Sequence, residues 1–121
     1  MAYWPLMKGL LAGRFPRDHV FDRADKRTTY PVFQGRLWQL NQDFLDVLRS
    51  VSIDCGKTVA QVVVNWTMNR PGITSVLCGA KRPWQIEETA SAAGWKLDTT
   101  AEQRMADAYT AWRAETQLEG V

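Results

Sequence analysis

The hydrophobic period that begins near Gln34 constrains this chain more than any other feature. Leu37, Leu40, Phe44, Val47, Leu48 and Val51 return at intervals of three and four, which marks one apolar face of an amphipathic helix. Gly56 is placed to stop it. Thr58 with Gln61 three positions on has the form of a capping box, and Val59, Val62, Val63 and Trp66 share one face of the helix it would start. Arg70-Pro71-Gly72 ends that helix. A third is expected from Pro83, which suits a first helical turn, to about Ala93, with Gly94 as its stop. Thr99 and Glu102 offer a second capping box, and the helix that follows carries Met105, Ala108, Tyr109 and Trp112 on one face.

Strand material is scarce beside these helices. Ile73–Cys78 is short, apolar and β-branched, and reads as a buried strand; Tyr3-Trp4 allows one more short strand before Pro5. The chain therefore divides into an apolar, glycine-punctuated segment (1–15), a polar stretch without a period that reads as a long surface loop (16–33), and helix-helix-strand-helix-helix (34–121). With 121 residues it can bury one core. At 45% hydrophobic and 23% charged residues it reads as a globular rather than a disordered chain. A net charge of +2 excludes a strongly cationic nucleic-acid arm and an acidic tail. No apolar run suits a membrane span, and Met1-Ala2-Tyr3-Trp4 running into Pro5 does not form a signal peptide. Cys55 and Cys78 make neither a CxxC motif nor a disulfide framework, so reduced thiols and a cytoplasmic location are expected. Six tryptophans imply a large aromatic core, an interface, or both.

Catalytic constellations are sparse. His19, the only histidine, lies beside Asp18 in the polar loop and reads as a surface residue, and no metal-ligand spacing accompanies it. Asp22 and Asp25 bracket basic residues in the manner of a solvated loop. Neither a GxSxG elbow nor a Walker loop is present. Between Lys8 and Arg36, Lys8, Arg14, Arg17, Arg23, Lys26, Arg27 and Arg36 outnumber Asp18, Asp22 and Asp25. This basic cluster faces a phosphate, of a dinucleotide or a nucleic acid, or it is a hydrated loop. A sharper signal is Val76-Leu77-Cys78-Gly79-Ala80-Lys81-Arg82-Pro83. A strand passing through glycine into a helix start leaves backbone N–H groups free at a positive dipole end, where Lys81 and Arg82 would neutralise an anion. A plain strand-to-helix turn with two solvated cations fits the spacing equally well.

Three blocks in order resemble the C-terminal third of an aldo-keto reductase. Tyr3-x-Pro5-Leu6-x-x-Gly9-x-Leu11-x-Gly13-Arg14-Phe15 is similar to the segment after that family's seventh barrel strand. Thr58-Val59-Ala60-Gln61-Val62-Val63-Val64-Asn65-Trp66 resembles its seventh helix. Ile73 to Glu88 resembles its eighth strand and the start of its cofactor-binding helix. The resemblance implies an α/β fold, a helix-rich partial (β/α)8 TIM-barrel fragment with about two short parallel strands. It implies NADP(H) as a weakly held or vestigial cofactor. Tyr3 would stack on the nicotinamide; Leu6, Gly9, Leu11, Gly13 and Arg14 would lie over the pyrophosphate. Gly79, Ala80, Lys81 and Arg82 would surround the 2′-phosphate, and Gln85 and Glu88 would lie near the ribose and adenine. Thr89 stands where many members have asparagine, and Trp4 and Trp84 replace residues that are commonly smaller or polar.

The family's catalytic Asp, Tyr, Lys and His belong to earlier strands of a barrel of roughly 250 residues, and no catalytic residue is assigned in this chain. Tyr30, Tyr109 and His19 do not stand in matching contexts. The chain alone is therefore expected to be inactive. Two short strands with open edges also imply self-association, with Trp4 or Trp38 near the contact of a homo-oligomer. The alternatives are a helical interaction module without cofactor and a subunit whose missing strands come from a separate chain. Nucleic-acid binding ranks last because the net charge is small.

Overall fold

The computed structural model describes residues 1–120. A two-residue strand β1 (Ala2–Tyr3) leads through a 3-10 turn (Leu10–Ala12) and two more (Lys26–Thr29, Pro31–Phe33) into helix α1 (Gly35–Cys55). Helix α2 (Val59–Met68), strand β2 (Val76–Leu77), helix α3 (Pro83–Ala90) and helix α4 (Thr99–Leu118) follow. The strands pair in parallel, Ala2 opposite Val76 and Tyr3 opposite Leu77.

Local sequence explains most of the boundaries. Gly56 ends α1 in the left-handed conformation, φ +66°, and its N–H donates to the Ile53 carbonyl. The Thr58–Gln61 capping box is complete: Gln61 N donates to Thr58 Oγ1 at 3.2 Å and Thr58 N to Gln61 Oε1 at 3.0 Å. Helix α4 departs from the expected cap by one residue. Asp98, not Thr99, is the N-cap, its carboxylate accepting from Ala101 N at 2.7 Å. A carboxylate there also meets the positive end of the helix dipole, which a threonine hydroxyl does not. Helix α3 closes at Ala90 rather than near Ala93, because Ser91 caps it and Ala92 and Ala93 continue as a turn.

The core lies between helices. Trp38, Leu45, Leu48 and Val51 of α1 meet Val59, Val62 and Val63 of α2, with Leu10, Phe33, Leu97, Ala101 and Met105 completing the cluster. Helix α1 buries two stripes instead of the single predicted face. One, through Trp38, Leu45 and Leu48, enters this core. The other packs on α4, where the Phe44 and Trp112 rings stack 5.7 Å apart and Trp112 Nε1 donates to Asn41 Oδ1 at 2.8 Å. Asn65, 1% exposed, donates to the carbonyls of Ala92 and Trp95 at 2.9 and 2.7 Å, tying α2 to the segment after α3.

One expectation is corrected here. The 73–78 strand shrinks to Val76–Leu77, because β1 offers only two residues to pair with it, and it is not buried, Leu77 being half in water. The 16–33 stretch keeps most of its residues exposed and carries only two short 3-10 turns, and aromatic contacts anchor it to the core. Phe21 meets Phe15, Phe33 and Trp38, and Trp38 Nε1 donates to the Arg17 carbonyl at 2.8 Å.

Candidate functional site

Both strands run the same way, so Tyr3 and Leu77 end at one side of the sheet and release two segments there. The first, from β1, reaches Gly13 through Leu6, Gly9 and Leu11. Its backbone is unusual: Trp4, Met7 and Lys8 all take positive φ, 53°, 45° and 59°, a region costly for residues with a Cβ. The Lys8 ammonium lies 4.0 Å from the Trp4 ring centre and 4.4 Å from that of Tyr30. Leu10 is fully buried, and Leu6 and Leu11 pack against the core. The 3-10 turn uses its own amides, with Gly9 N donating to Leu6 O and Leu11 N to the same carbonyl, each at 3.0 Å.

The second segment is Gly79-Ala80-Lys81-Arg82, leading into α3. Its first amides are not free, contrary to expectation. Gln85 Oε1 accepts from Lys81 N at 2.7 Å and from Arg82 N at 3.1 Å. The glutamine reaches back one helical turn and does for these donors what an anion would do. The charge left for a ligand is therefore on side chains. Lys81 and Arg82 are exposed and join no ion pair among the described residues.

The two segments are joined. Arg14 Nη2 donates to both carboxylate oxygens of Glu88, at 2.9 and 3.1 Å, and its guanidinium lies 4.3 Å from the Trp84 ring centre. Trp84 and Glu88 are one turn apart on α3, so a single helix face receives the arginine. Nearby, Arg27 holds Asp25 by two side-chain nitrogens and by its backbone N–H. Those hydrogen bonds, the side-chain ones first, lower the Asp25 carboxyl to about 2.

The glycines separate by cause. A Cβ on Gly13 would meet Val59 side-chain atoms at 3.0–3.1 Å, and φ is +70°, so helix packing accounts for this residue. Gly9, at φ +90°, is explained by backbone conformation. Gly79 has neither constraint, and a Cβ there would meet nothing within 4 Å.

Of the sequence-predicted site residues, Tyr3 is 74% exposed and stands at the end of β1. Arg14, Gln85 and Glu88 gather on or against α3, whereas Lys81 and Arg82 project at its start with Gly79 and Ala80 before them. His19 is exposed and packs beside the Phe15 and Phe21 rings, at 4.9 and 4.6 Å. Among the described residues no cluster of His, Cys, Asp and Glu could hold a metal ion, and no helix is long and apolar enough to cross a membrane. Sequence reasoning missed the Arg14–Trp84 and Lys8–Tyr30 pairs. No short-range pattern signals them, since their partners come from distant segments.

The aldo/keto reductase family profile matches residues 1–109. This chain belongs to that family. Relatives agree with the assignment: it is 32% identical over 104 residues to the aldo-keto reductase YhdN of Bacillus subtilis, covering 82% of this chain and 30% of that protein. It is 29% identical over 115 residues to the L-glyceraldehyde 3-phosphate reductase of Escherichia coli, covering 92% and 33%. Among solved structures, the glycerol dehydrogenase AKR11B4 of Gluconobacter oxydans superposes with a TM-score of 0.76 at 29% identity, over 89% of this chain and 33% of that one. The chain thus spans about a third of the length of the aldo-keto reductases it matches. Its two parallel strands and flanking helices correspond to a fragment of a TIM-barrel enzyme.

Proposed function

We propose that this chain is the NADP(H)-holding part of an aldo-keto reductase and does not reduce carbonyls by itself. The observation that carries the reading is the pair Lys81 and Arg82, exposed, in no ion pair among the described residues although the Lys81 charge reaches Asp25, and set beside a glycine that its own chain does not require. A missing Cβ with open space before it suits close approach of a ligand to backbone. The two cations suit a dianionic 2′-phosphate more than a ribose hydroxyl, which gives the preference for NADP(H) over NAD(H). Tyr3 offers an open ring face for the nicotinamide. Gln85 fits less simply, because its carbonyl oxygen already holds the amides of Lys81 and Arg82 and must move for a phosphate to take them. Arg14 is likewise engaged with Glu88, which leaves Lys8 as the cation of the first segment without an ion pair among the described residues.

NADP(H), when bound, supplies the hydride. This chain's residues would orient it, and the general acid that carbonyl reduction also needs has no counterpart in the three matching blocks. Free Cys55 and Cys78 accord with a proposed cytoplasmic location. Titration of the chain with NADPH and NADH, followed by tryptophan fluorescence, tests the binding. Weak NADPH binding that exceeds NADH binding and falls in Arg82→Ala is expected. Equal response to both cofactors, or an Arg82→Ala variant that binds NADPH unchanged, overturns the reading. Reproducible turnover of NADPH with a panel of aldehydes and ketones would overturn the inactivity.

A further inference from the structure

We infer that Lys8 is the cation that meets the pyrophosphate of the dinucleotide, and that Tyr30, with Trp4, holds it in position. This rests on the cofactor reading above and adds to it a positioning residue from outside both cofactor segments. Met7 N donates to the Trp4 carbonyl at 3.0 Å, closing a turn that brings Lys8 back over the Trp4 ring. The Tyr30 ring takes the same ammonium from the other segment, 4.4 Å away. Tyr30 is itself fixed. Its N–H donates to the Arg27 carbonyl at 3.1 Å, and Arg27 is held by Asp25 and lies over the Phe15 and Phe21 rings. Arg27 Nη1 also stands 3.8 Å from where a Cβ on Gly9 would lie, so the Tyr30 turn packs on the residue next to Lys8.

The chain adopts a costly backbone to make this arrangement, since Trp4, Met7 and Lys8 are all left-handed. Such conformations gather at ligand clamps, where the surrounding structure enforces them. An ammonium has three donors, and aromatic faces attract its charge without supplying a carboxylate to neutralise it. Lys8 is exposed and joins no ion pair among the described residues, so its charge stays available to an anion. Which phosphate it meets follows from the two segments. Lys81 and Arg82 serve the 2′-phosphate on the segment after β2, whereas Lys8 lies on the segment after β1, at the same side of the sheet. There Arg14 is engaged with Glu88, and Lys8 is left for the bridging phosphates.

Calorimetric titration of the full chain with NADPH and with NADH tests this, because both carry the pyrophosphate and only one the 2′-phosphate. Lys8→Met is expected to weaken binding of both at least fivefold and by the same factor, which leaves the preference for NADPH intact. Arg82→Ala, by contrast, is expected to weaken NADPH alone. Tyr30→Leu should match Lys8→Met, Tyr30→Phe should bind as the parent chain does, and Tyr30→Leu should add nothing in a Lys8→Met background. That last comparison separates positioning of the ammonium from a structural role. Circular dichroism confirms that each variant is folded; if Tyr30→Leu is not, Trp4→Leu takes its place in the same comparison. Unchanged affinities in Lys8→Met overturn the inference, while the cofactor reading stands or falls on Arg82→Ala. A Lys8→Met loss confined to NADPH overturns it too, since Lys8 would then serve the 2′-phosphate. A Tyr30→Phe variant as weak as Tyr30→Leu, or a further loss from Tyr30→Leu in Lys8→Met, overturns the positioning role. A parent chain that binds neither dinucleotide overturns both readings.

Discussion

Arg14 and Glu88, 74 positions apart in sequence, meet through both oxygens of one carboxylate, with the Trp84 ring beneath the guanidinium. The glutamate is largely covered and the arginine half exposed. The contact fixes the loop after β1 to the first turns of α3, the two segments proposed to hold the cofactor. Solvent screens the arginine, so Glu88→Gln is expected to cost no more than about 1 kcal/mol in urea unfolding. Arg14→Ala also removes the ring contact and is expected to cost more than Glu88→Gln. Equal losses in the two variants would show that the stack contributes nothing.

Gly13→Ala is expected to destabilise the fold by about 1–3 kcal/mol. The added methyl would enter at 3.0–3.1 Å from Val59 with the backbone already left-handed. Gly79→Ala meets no such obstacle and is expected to leave thermal stability unchanged while lowering any NADPH affinity. The contrast separates a glycine kept for packing from one proposed to admit a ligand, and paired melting and titration curves read it directly.

Asn65→Ala removes two donors, one from the buried Ala92 carbonyl and one from the part-buried Trp95 carbonyl. An unfilled buried acceptor costs about 1–3 kcal/mol, so the substitution is expected to lower stability by roughly 2–4 kcal/mol. Chemical denaturation measures it. A loss below 1 kcal/mol, on the scale of a single net hydrogen bond, would mean that water replaces the amide.

Asp25 predicts an acid limb. Its carboxyl is lowered to about 2 by the hydrogen bonds from Arg27. A group depressed in the folded state contributes stability that is fully present above its unfolded value, near 3.9. That contribution disappears as pH falls through about 2. Carboxyl chemical shifts followed by NMR between pH 5 and pH 1.5 should place its midpoint well below those of exposed aspartates. In Asp25→Asn the stability profile should lose this acid-dependent component.

Sequence patterns revealed the helices where the signal is local and chemically specific. The Thr58–Gln61 box and the Gly56 stop are formed by the residues that suggested them. The Asp98 cap was missed because Asp98 and Thr99 are both good caps, and the choice rests on which side chain reaches Ala101 N. The strand Ile73–Cys78 was overextended because β-branched residues favour extended backbone whether or not a neighbouring strand pairs with them. Here β1 offers only two residues to pair. At the candidate site, motifs single out two segments but carry no sign of their internal bonds. Nothing in the sequence indicates that Gln85 would turn back onto Lys81 and Arg82, or that three non-glycine residues between Trp4 and Lys8 would be left-handed.

The placement of the core between helices orders the ways in which this molecule opens. No strand residue belongs to the buried cluster, so amides at Ala2 and Tyr3 need only local fluctuation to exchange with solvent. Those at Leu45 and Leu48, fully enclosed on α1, exchange through global unfolding. A sheet that frays before the helical body is a seam between that body and whatever joins it.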